Sequence, residues 1–491
     1  MPTLYQLETF NVSEKLTLLT NYLKTEALTQ PLHTVEQTIF QKLLEMGNTL
    51  MSEYIAQKSH NSMMPSVVEN NEIIPFHSMK KREYLSIFGK VAIMRPYFWK
   101  RGSPGLTPLD AELNLPRHCH SYLLDKWVQH RVAEGPYEEA INNIYELLGL
   151  KVNKDLVQKI TQEASQDVYN YYKQKEDFLD EGSHLVLQVD CKGVVMIPKE
   201  RPKSKLEDKN FVRRAKGVSK IGTRKDAVVT LSYSINPLPR TPHDVLEGLM
   251  GINSNKNKEK KKYKNKLAEP INKQVAATMF GKEKAFETLF DHVQARDKSF
   301  NKPIFLLMDG ASSLEKGFMS ELKKREWEKR VVGYCLDIVH VTEYLWDAST
   351  AIYGETNPER VLWVRTALEK TLSSNIESVI EELEKKIKNK KTTDFVKKRL
   401  QRSVSYFNNH KHMMDYSTYL KKGLPIASGA IEGACNSVVK DRTDRSGMQW
   451  TKKGADAVVN LRTVQCNNDW ENYWNYHIQT ESEQLYGNYA A

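Results

Sequence analysis

The chain has 491 residues, and its 72 lysines and arginines against 61 aspartates and glutamates give a formal net charge of +11 at pH 7. That length predicts two to four globular domains with a real core, and the basic balance favours a polyanionic partner, nucleic acid first. The five cysteines (Cys119, Cys191, Cys335, Cys435, Cys466) form no CxxC pair and no apolar run is long enough to cross a bilayer, so no disulfide framework, cysteine zinc module, signal peptide or membrane role is readable and a reducing cytosol is expected.

Residues 1 to about 60 carry apolar positions at steps of three and four, as in "VEQTIFQKLLEMGNTLMSEYIAQK", and predict a helical region. "REYLSIFGKVAIMRPYFWK" alternates, is rich in aromatic and β-branched residues, and stops at the turn-forming "RGSPGLTPLD", which predicts a small hairpin. Together these make a first region, 1–115. In "PYEEAINNIYELLGLKVNKDLVQKITQEASQDVYNYY" two helical periods flank Gly149, with Asn153 as the N-cap of the second. The pattern over 136–172 fits a DNA-reading helix-turn-helix or an ordinary helical hairpin, and defines a second region, 116–180.

From about residue 183 short β-branched runs take over: "HLVLQVDCKGVVMI", "AVVTLSYSI", "PIFLLMDG" and "VVGYCLDIVHV". With "EPINKQVAATMFGKEKAFETLFDHVQARDK" and "EKGFMSELKKREWEK" read as helical, the expected order is β-β-β-α-β-α-β, one strand more than these four runs supply, an α/β domain over 181–341 with a mixed five-stranded sheet. Two basic tracts, "KERPKSKLEDKNFVRRAKGVSKIGTRK" and "NKNKEKKKYKNK", are too polar to pack and read as exposed segments. Residues 342–422 are helical in pattern throughout, an all-α insertion, and 423–491 form the C-terminal part of the core.

Three acids stand where strands or helices meet turn-forming residues: Asp190 in "LQVDCKG", Asp309 in "LLMDGAS" and Glu432 in "SGAIEGA". Carboxylates brought together on a rigid frame make a hard oxygen site suited to Mg²⁺ or Mn²⁺, and two such ions can clamp an in-line phosphoryl displacement. In a sheet of order 3-2-1-4-5 the strands bearing Asp190 and Asp309 are neighbours, about 4.8 Å apart. Asp337, read in the fifth strand, and His340, read at that strand's end, stand as supporting residues; His340 would contact a phosphate, orient the metal site or serve structurally. Glu432 heads a predicted helix with Ser428 as N-cap and with Ile431, Ala434, Cys435 and Val438 on its apolar side. Glu432, Asn436 and Lys440 follow at steps of four on one polar face, and Lys440, Arg442, Arg445 and Arg462 are candidate DNA phosphate contacts.

At these residues the chain resembles DDE transposases of the ISKra type, bacterial insertion-sequence enzymes related in catalytic plan to the Mutator-like group. The resemblance runs from about residue 80 to 476, and "LLMDGA" with "SGAIEGACNSVVKDRTDRSGMQW" is its most specific part. It implies an RNase H-like catalytic core interrupted by a helical insertion between the second and third acids. Asp190, Asp309 and Glu432 would form the metal-binding catalytic triad, with two Mg²⁺ (or Mn²⁺) ions, and Asp337 and His340 match a D/C-x-x-H element near the active site. Members of the group carry a cysteine pair after the N-terminal hairpin; "YFWKRGSPGL" has none, which argues against a zinc knuckle there, and "RHCH" with Cys119 stays unassigned.

The expected activity is therefore DNA transposition: binding of the element's terminal inverted repeats, cleavage at the ends, and joining of 3′-hydroxyls to target DNA. The helical N-terminal part would bind the ends, and the basic segments and helical insertion would hold flanking or target DNA. Partners would be double-stranded DNA and further copies of the chain in a homodimer or larger synaptic complex, in the bacterial cytoplasm at the nucleoid. The alternatives are a nuclease or resolvase of the same fold without strand transfer, and a domesticated DNA-binding protein.

Overall fold

In the computed structural model the described residues are 12–69, 71–175, 181–201, 223–250, 268–445 and 447–487. The second basic tract, 255–266, lies outside them, as does most of the first, 199–225. Contacts divide the chain into two units, 1–167 with 469–491, and 168–468.

In the first unit the periodic N-terminal segment forms α1 (Val12–Lys24) and α2 (Leu32–Asn61). A three-stranded antiparallel sheet follows, in the order β1 (Ser66–Glu69), β2 (Glu72–Ser86), β3 (Gly89–Phe98). The expected hairpin is β2–β3, turning where Ser86 faces Gly89, whose φ of +117° suits a residue without Cβ. Ile55 of α2, Val91 and Ile93 of β3, Leu109 and Leu115 close one apolar core. Three helices come next after α3 (Pro108–Glu112): α4 (Tyr122–Glu134), α5 (Tyr137–Leu148) and α6 (Lys154–Ala164). Gly149 ends α5 at φ +68°, and the Asn153 side chain accepts from Leu156 N–H at 3.0 Å, as the cap pattern predicts.

Two boundaries differ from the sequence reading. The helix-turn-helix-like span 136–172 is cut between 167 and 168, and the C-terminal helix Trp470–Tyr486, read with the α/β core, belongs to the N-terminal unit. Its Trp470, Tyr473 and Trp474 are buried at helical spacing in that unit, which is more apolar area than the helix could leave uncovered.

The second unit opens with α7 (Val168–Gln174) and is built on a five-stranded sheet. Its strands are β4 (His184–Val195), β5 (Arg224–Ile235), β6 (Ile271–Thr278), β7 (Ile304–Met308) and β8 (Val331–Leu336). The spatial order is β6-β5-β4-β7-β8, with the first three antiparallel and β4, β7 and β8 parallel. This is the 3-2-1-4-5 order expected. The third strand, however, is Ile271–Thr278, inside a segment that reads as helical; only its second half forms a helix, α9 (Lys282–Arg296). The strand survives because it pairs along β5 from Val228↔Thr278 to Ser234↔Ile271, a tertiary gain that overrides the local pattern. All five residues of β7 are buried, as befits a central parallel strand covered on both faces.

After α8 (Pro242–Met250), α9 and α10 (Ser312–Lys324), residues 338–421 hold helices only: α11 (Ile338–Tyr353), α12 (Glu359–Leu372), α13 (Ile376–Lys388), α14 (Asp394–His410) and α15 (Tyr416–Lys421). The chain then returns to the sheet, where Ile338 N–H donates to Ile426 O at 2.9 Å. It continues as α16 (Gly429–Ala434), a π-helical segment Cys435–Lys440, a last turn Asp441–Thr443, and α17 (Lys452–Cys466). Among the described residues no helix is long and apolar enough to cross a membrane.

Candidate active site

The site is organised by the parallel pair β4 and β7, in register from Leu185↔Ile304 to Gln188↔Leu307. Asp190 and Asp309 each lie two residues beyond the last pair, so they occupy matched positions along the two neighbouring chain segments. Asp309 follows the end of β7 as expected, but Asp190 is not at a strand end: β4 goes on pairing with β5 as far as Val195↔Arg224. Asp190 marks instead the point where β4 parts from β7, which frees one side of the strand for a third element.

That element is α16. The N–H groups at its start are taken up by buried acceptors: Ile431 N–H by Gln188 Oε1 of β4 at 3.0 Å, and the N–H of Ser428, just before the helix, by Asp337 Oδ1 at 3.0 Å. Gln188, wholly buried, also donates to Tyr233 at 3.1 Å. Ile431, Ala434, Cys435 and Val438 are buried, while Glu432, Asn436 and Lys440 are exposed, which matches the two faces of the sequence pattern. The Cys435 thiol donates to Asp190 Oδ2 at 3.4 Å, and burial followed by the Asp190 charge holds that thiol far above its usual range, so it stays a donor. Burial likewise pushes the Cys191 thiol up to about 11, with Asp190 and Asp309 both contributing.

Asp337 is not in the fifth strand. It caps α11, accepting from Val339 N–H at 3.1 Å, and it receives the Ser428 hydroxyl at 2.7 Å. Ser428 is therefore not the side-chain cap of α16; its one hydroxyl proton goes to Asp337, with Glu432 Oε1 3.5 Å away. His340 lies in the first turn of α11 rather than at a strand end, with Nε2 4.0 Å from Asp337 Oδ2 and Nδ1 3.3 Å from Glu343. Burial lowers the His340 pKa, but Asp337, Glu343 and Asp309 outweigh it and leave the imidazole above its ordinary value.

Among the described residues, one set of three metal-ligating side chains places its ligand atoms within 4.8 Å of one another: Asp337, His340 and Glu432. The structure thus brings Glu432 to the two residues read as supporting, and no such set includes Asp190 or Asp309. The donor set is chemically suited to a divalent ion: two carboxylates and an imidazole within a span that small side-chain rotations close to bonding distance. Asp337 Oδ2 keeps acceptor capacity, whereas Oδ1 already takes two N–H bonds.

Two of the arginines serve the fold. Arg442 is wholly buried, its guanidinium 4.8 Å from the centre of the Trp450 ring, so it presents nothing to a phosphate. Arg462 donates through Nε to Ser437 O at 3.0 Å, a carbonyl inside the π-helical segment, and through Nη1 to Gln465 at 2.6 Å. Lys440 and Arg445 are exposed and keep their candidacy. The sequence reading missed Gln188, Tyr406 and His410. Gln188 had a signal, a polar residue inside "HLVLQVDC"; the other two, from α14, contact the Asp309–Gly310 backbone with Tyr406 Oη 3.1 Å from Asp309 O and His410 Nε2 2.8 Å from Gly310 O.

No family model matches the chain. It is similar to a UPF0236 protein in the vanSb 3′ region of Streptococcus gallolyticus, with 22% identity over 412 residues, or 83% of this chain and 78% of that protein.

Proposed function

We propose that this chain is a metal-dependent DNA transposase of the DDE type with an RNase H-like core, acting on the ends of an insertion sequence. The observation that carries the reading is the matched placement of Asp190 and Asp309, each two residues beyond the last pair of the parallel strands β4 and β7, with the Glu432 helix tied to β4 through Gln188. The strand order and directions, the helical insertion between the second and third acids, the ISKra-type motifs and the similarity to the UPF0236 protein all support it.

In this reading Asp190, Asp309 and Glu432 hold Mg²⁺ or Mn²⁺, and Asp337 and His340 join Glu432 in doing so. Bound there, the ions supply activation of a water or 3′-hydroxyl nucleophile and stabilisation of the leaving oxygen. The chain's own residues do the rest. Lys440 and Arg445 meet phosphates flanking the scissile bond. Lys397, Lys398, Gln401 and Arg402 line a groove on α14 and offer a cationic face to a DNA backbone. The α5–α6 pair in the N-terminal unit binds the element's ends, and work on two ends calls for a dimer or larger complex.

Asp309→Ala should abolish Mg²⁺-dependent cleavage of a duplex carrying the element's end while leaving its binding within about twofold. Cutting retained by this variant would overturn the assignment. Covalent joining of a labelled 3′ end to a second duplex separates transposition from simple nuclease action.

A further inference from the structure

The helical insertion reaches back to the second acid at two points. Tyr406 Oη donates to the carbonyl of Asp309 at 3.1 Å, and His410 Nε2 lies 2.8 Å from the carbonyl of Gly310. Both side chains sit on α14, one helical turn apart, about a hundred residues after the turn they hold. Their own placement is fixed in turn. Tyr406 stacks on Tyr344 of α11 with centroids 3.9 Å apart and planes at 10°, and His410 Nδ1 lies 2.7 Å from Tyr406 O. Both partners of His410 are carbonyl oxygens, which only accept, so the imidazole is the donor in a hydrogen bond to either of them. Burial keeps the Tyr406 phenol a proton donor, with its pKa raised further by Tyr344 and Asp309.

The segment being held needs holding. Asp309 has left the β7 ladder, and Gly310 adopts φ +90°, a conformation that a side chain would strain. A Cβ on Gly310 would also come within 2.9 Å of Leu336 Cδ1 and 3.1 Å of His410 Nε2. Within the turn, Asp309 Oδ1 accepts from Ala311 N–H at 2.8 Å, which leaves Oδ2 for a ligand. Since the two carbonyls flank the Asp309 and Gly310 peptide units, the donors on them set the direction of the Asp309 Cα–Cβ bond. A carboxylate ligand displaced by about 1 Å loses much of its value.

We propose that Tyr406 and His410 are positioning residues that orient Asp309 for a divalent cation, making the helical insertion a brace of the metal site as well as a DNA-facing element. The inference rests on the reading of Asp309 as a metal ligand given above. Partners of this kind, one step removed from the ion, are worth 10- to 100-fold in metal affinity.

The test uses the full chain and Mn²⁺, with free Mn²⁺ followed by electron paramagnetic resonance. Tyr406→Phe keeps the ring stack and deletes one donor; His410→Ala deletes the other, and His410→Gln can restore a donor to Gly310 O. The expected result is a fall in Mn²⁺ affinity of about tenfold or more for Tyr406→Phe and His410→Ala, with partial recovery in His410→Gln. Far-ultraviolet dichroism and affinity for an end-containing duplex should stay within twofold, which a merely structural lesion would not allow. Unchanged Mn²⁺ affinity in folded Tyr406→Phe, while Asp309→Ala loses the ion, overturns the brace alone. If the unsubstituted chain and Asp309→Ala bind Mn²⁺ equally, the metal reading of Asp309 falls and the brace with it.

Discussion

Each unit of the molecule contains a cluster of histidine and carboxylate side chains, and the two differ in what they leave open. In the N-terminal unit Asp125, only 1% exposed, faces His120 Nδ1 at 3.0 Å and His118 Nε2 at 3.4 Å. In the other unit Asp337 is equally buried and equally engaged, by Val339 N–H, Ser428 N–H and the Ser428 hydroxyl. The difference lies in the company each keeps. His120 is buried and the His118 side chain only 12% exposed, whereas Glu432 is exposed and the His340 side chain is 37% exposed. Similar residue types therefore make a closed structural network in one unit and a site with free ligand capacity in the other. Exposure beside a buried, hydrogen-bonded anchor, rather than residue identity, distinguishes a candidate site from a core.

The sharpest way to break that comparison is to remove the two anchors. Asp125→Ala strands the buried His120 imidazole and removes the partner of His118, and Asp337→Ala strands two N–H groups and a hydroxyl. Each should cost about 3 kcal/mol in urea unfolding. A loss below about 1 kcal/mol for Asp337→Ala would mean that it is not a structural anchor, and the parallel between the clusters would fail.

Acidification should separate the units next. Complete burial of His292, in the sheet-bearing unit, depresses its pKa to about 3 against an ordinary 6.5. The folded chain keeps it neutral while the unfolded chain takes a proton below 6.5, so stability is full above that pH. It should fall by about 1.4 kcal/mol per pH unit down to about pH 3. His118 is depressed to about 3 in the same sense, by burial and then by His120. Its partner works the other way: burial raises Asp125 to about 6, although His120 pulls it down, so that its folded form holds a proton the unfolded form releases at 3.8. That contribution is present at low pH and lost as pH rises through 6. Between pH 3.8 and 6 the two changes in the His118–Asp125 network cancel, and the acid lability should trace to His292. Unfolding midpoints at pH 7 and 5 in His292→Leu should differ by less than in the unsubstituted chain; an undiminished difference would place the lability elsewhere.

The smallest expected effect concerns the open cluster. Glu432→Gln should change stability by no more than about 0.5 kcal/mol, the worth of a first-turn charge at a helix N-terminus. The same substitution should lower Mn²⁺ affinity measurably. A stability loss near that of Asp337→Ala would show that Glu432 is a structural residue after all.

Much of this is legible without coordinates, and for local reasons. Periods of three and four residues mark the helices of 338–421, the Asn153 cap follows from side-chain chemistry, and the apolar and polar faces of "GAIEGACNSVVK" are both found in the structure. Asp309 stands after a strand of five buried residues and before a glycine at positive φ, a turn visible in "LLMDGA". Each of these is a property of residues within one or two turns of one another.

What escapes the sequence depends on distant partners. Residues 271–278 carry a helical pattern and become a strand because β5 offers an unpaired edge. Asp337 reads as part of a strand but caps a helix, because Ser428 arrives ninety-one residues later to share it. Arg442 resembles a phosphate contact and is buried under Trp450, and Tyr406 and His410 are ordinary helix residues until α14 folds onto the Asp309–Gly310 turn. Periodicity and turn chemistry, then, determined which segments are helices, most of the strands, and where three acids stand along the chain. Only the tertiary structure decided which side chains meet, because burial and convergence depend on groups a hundred or more residues away that no local pattern encodes.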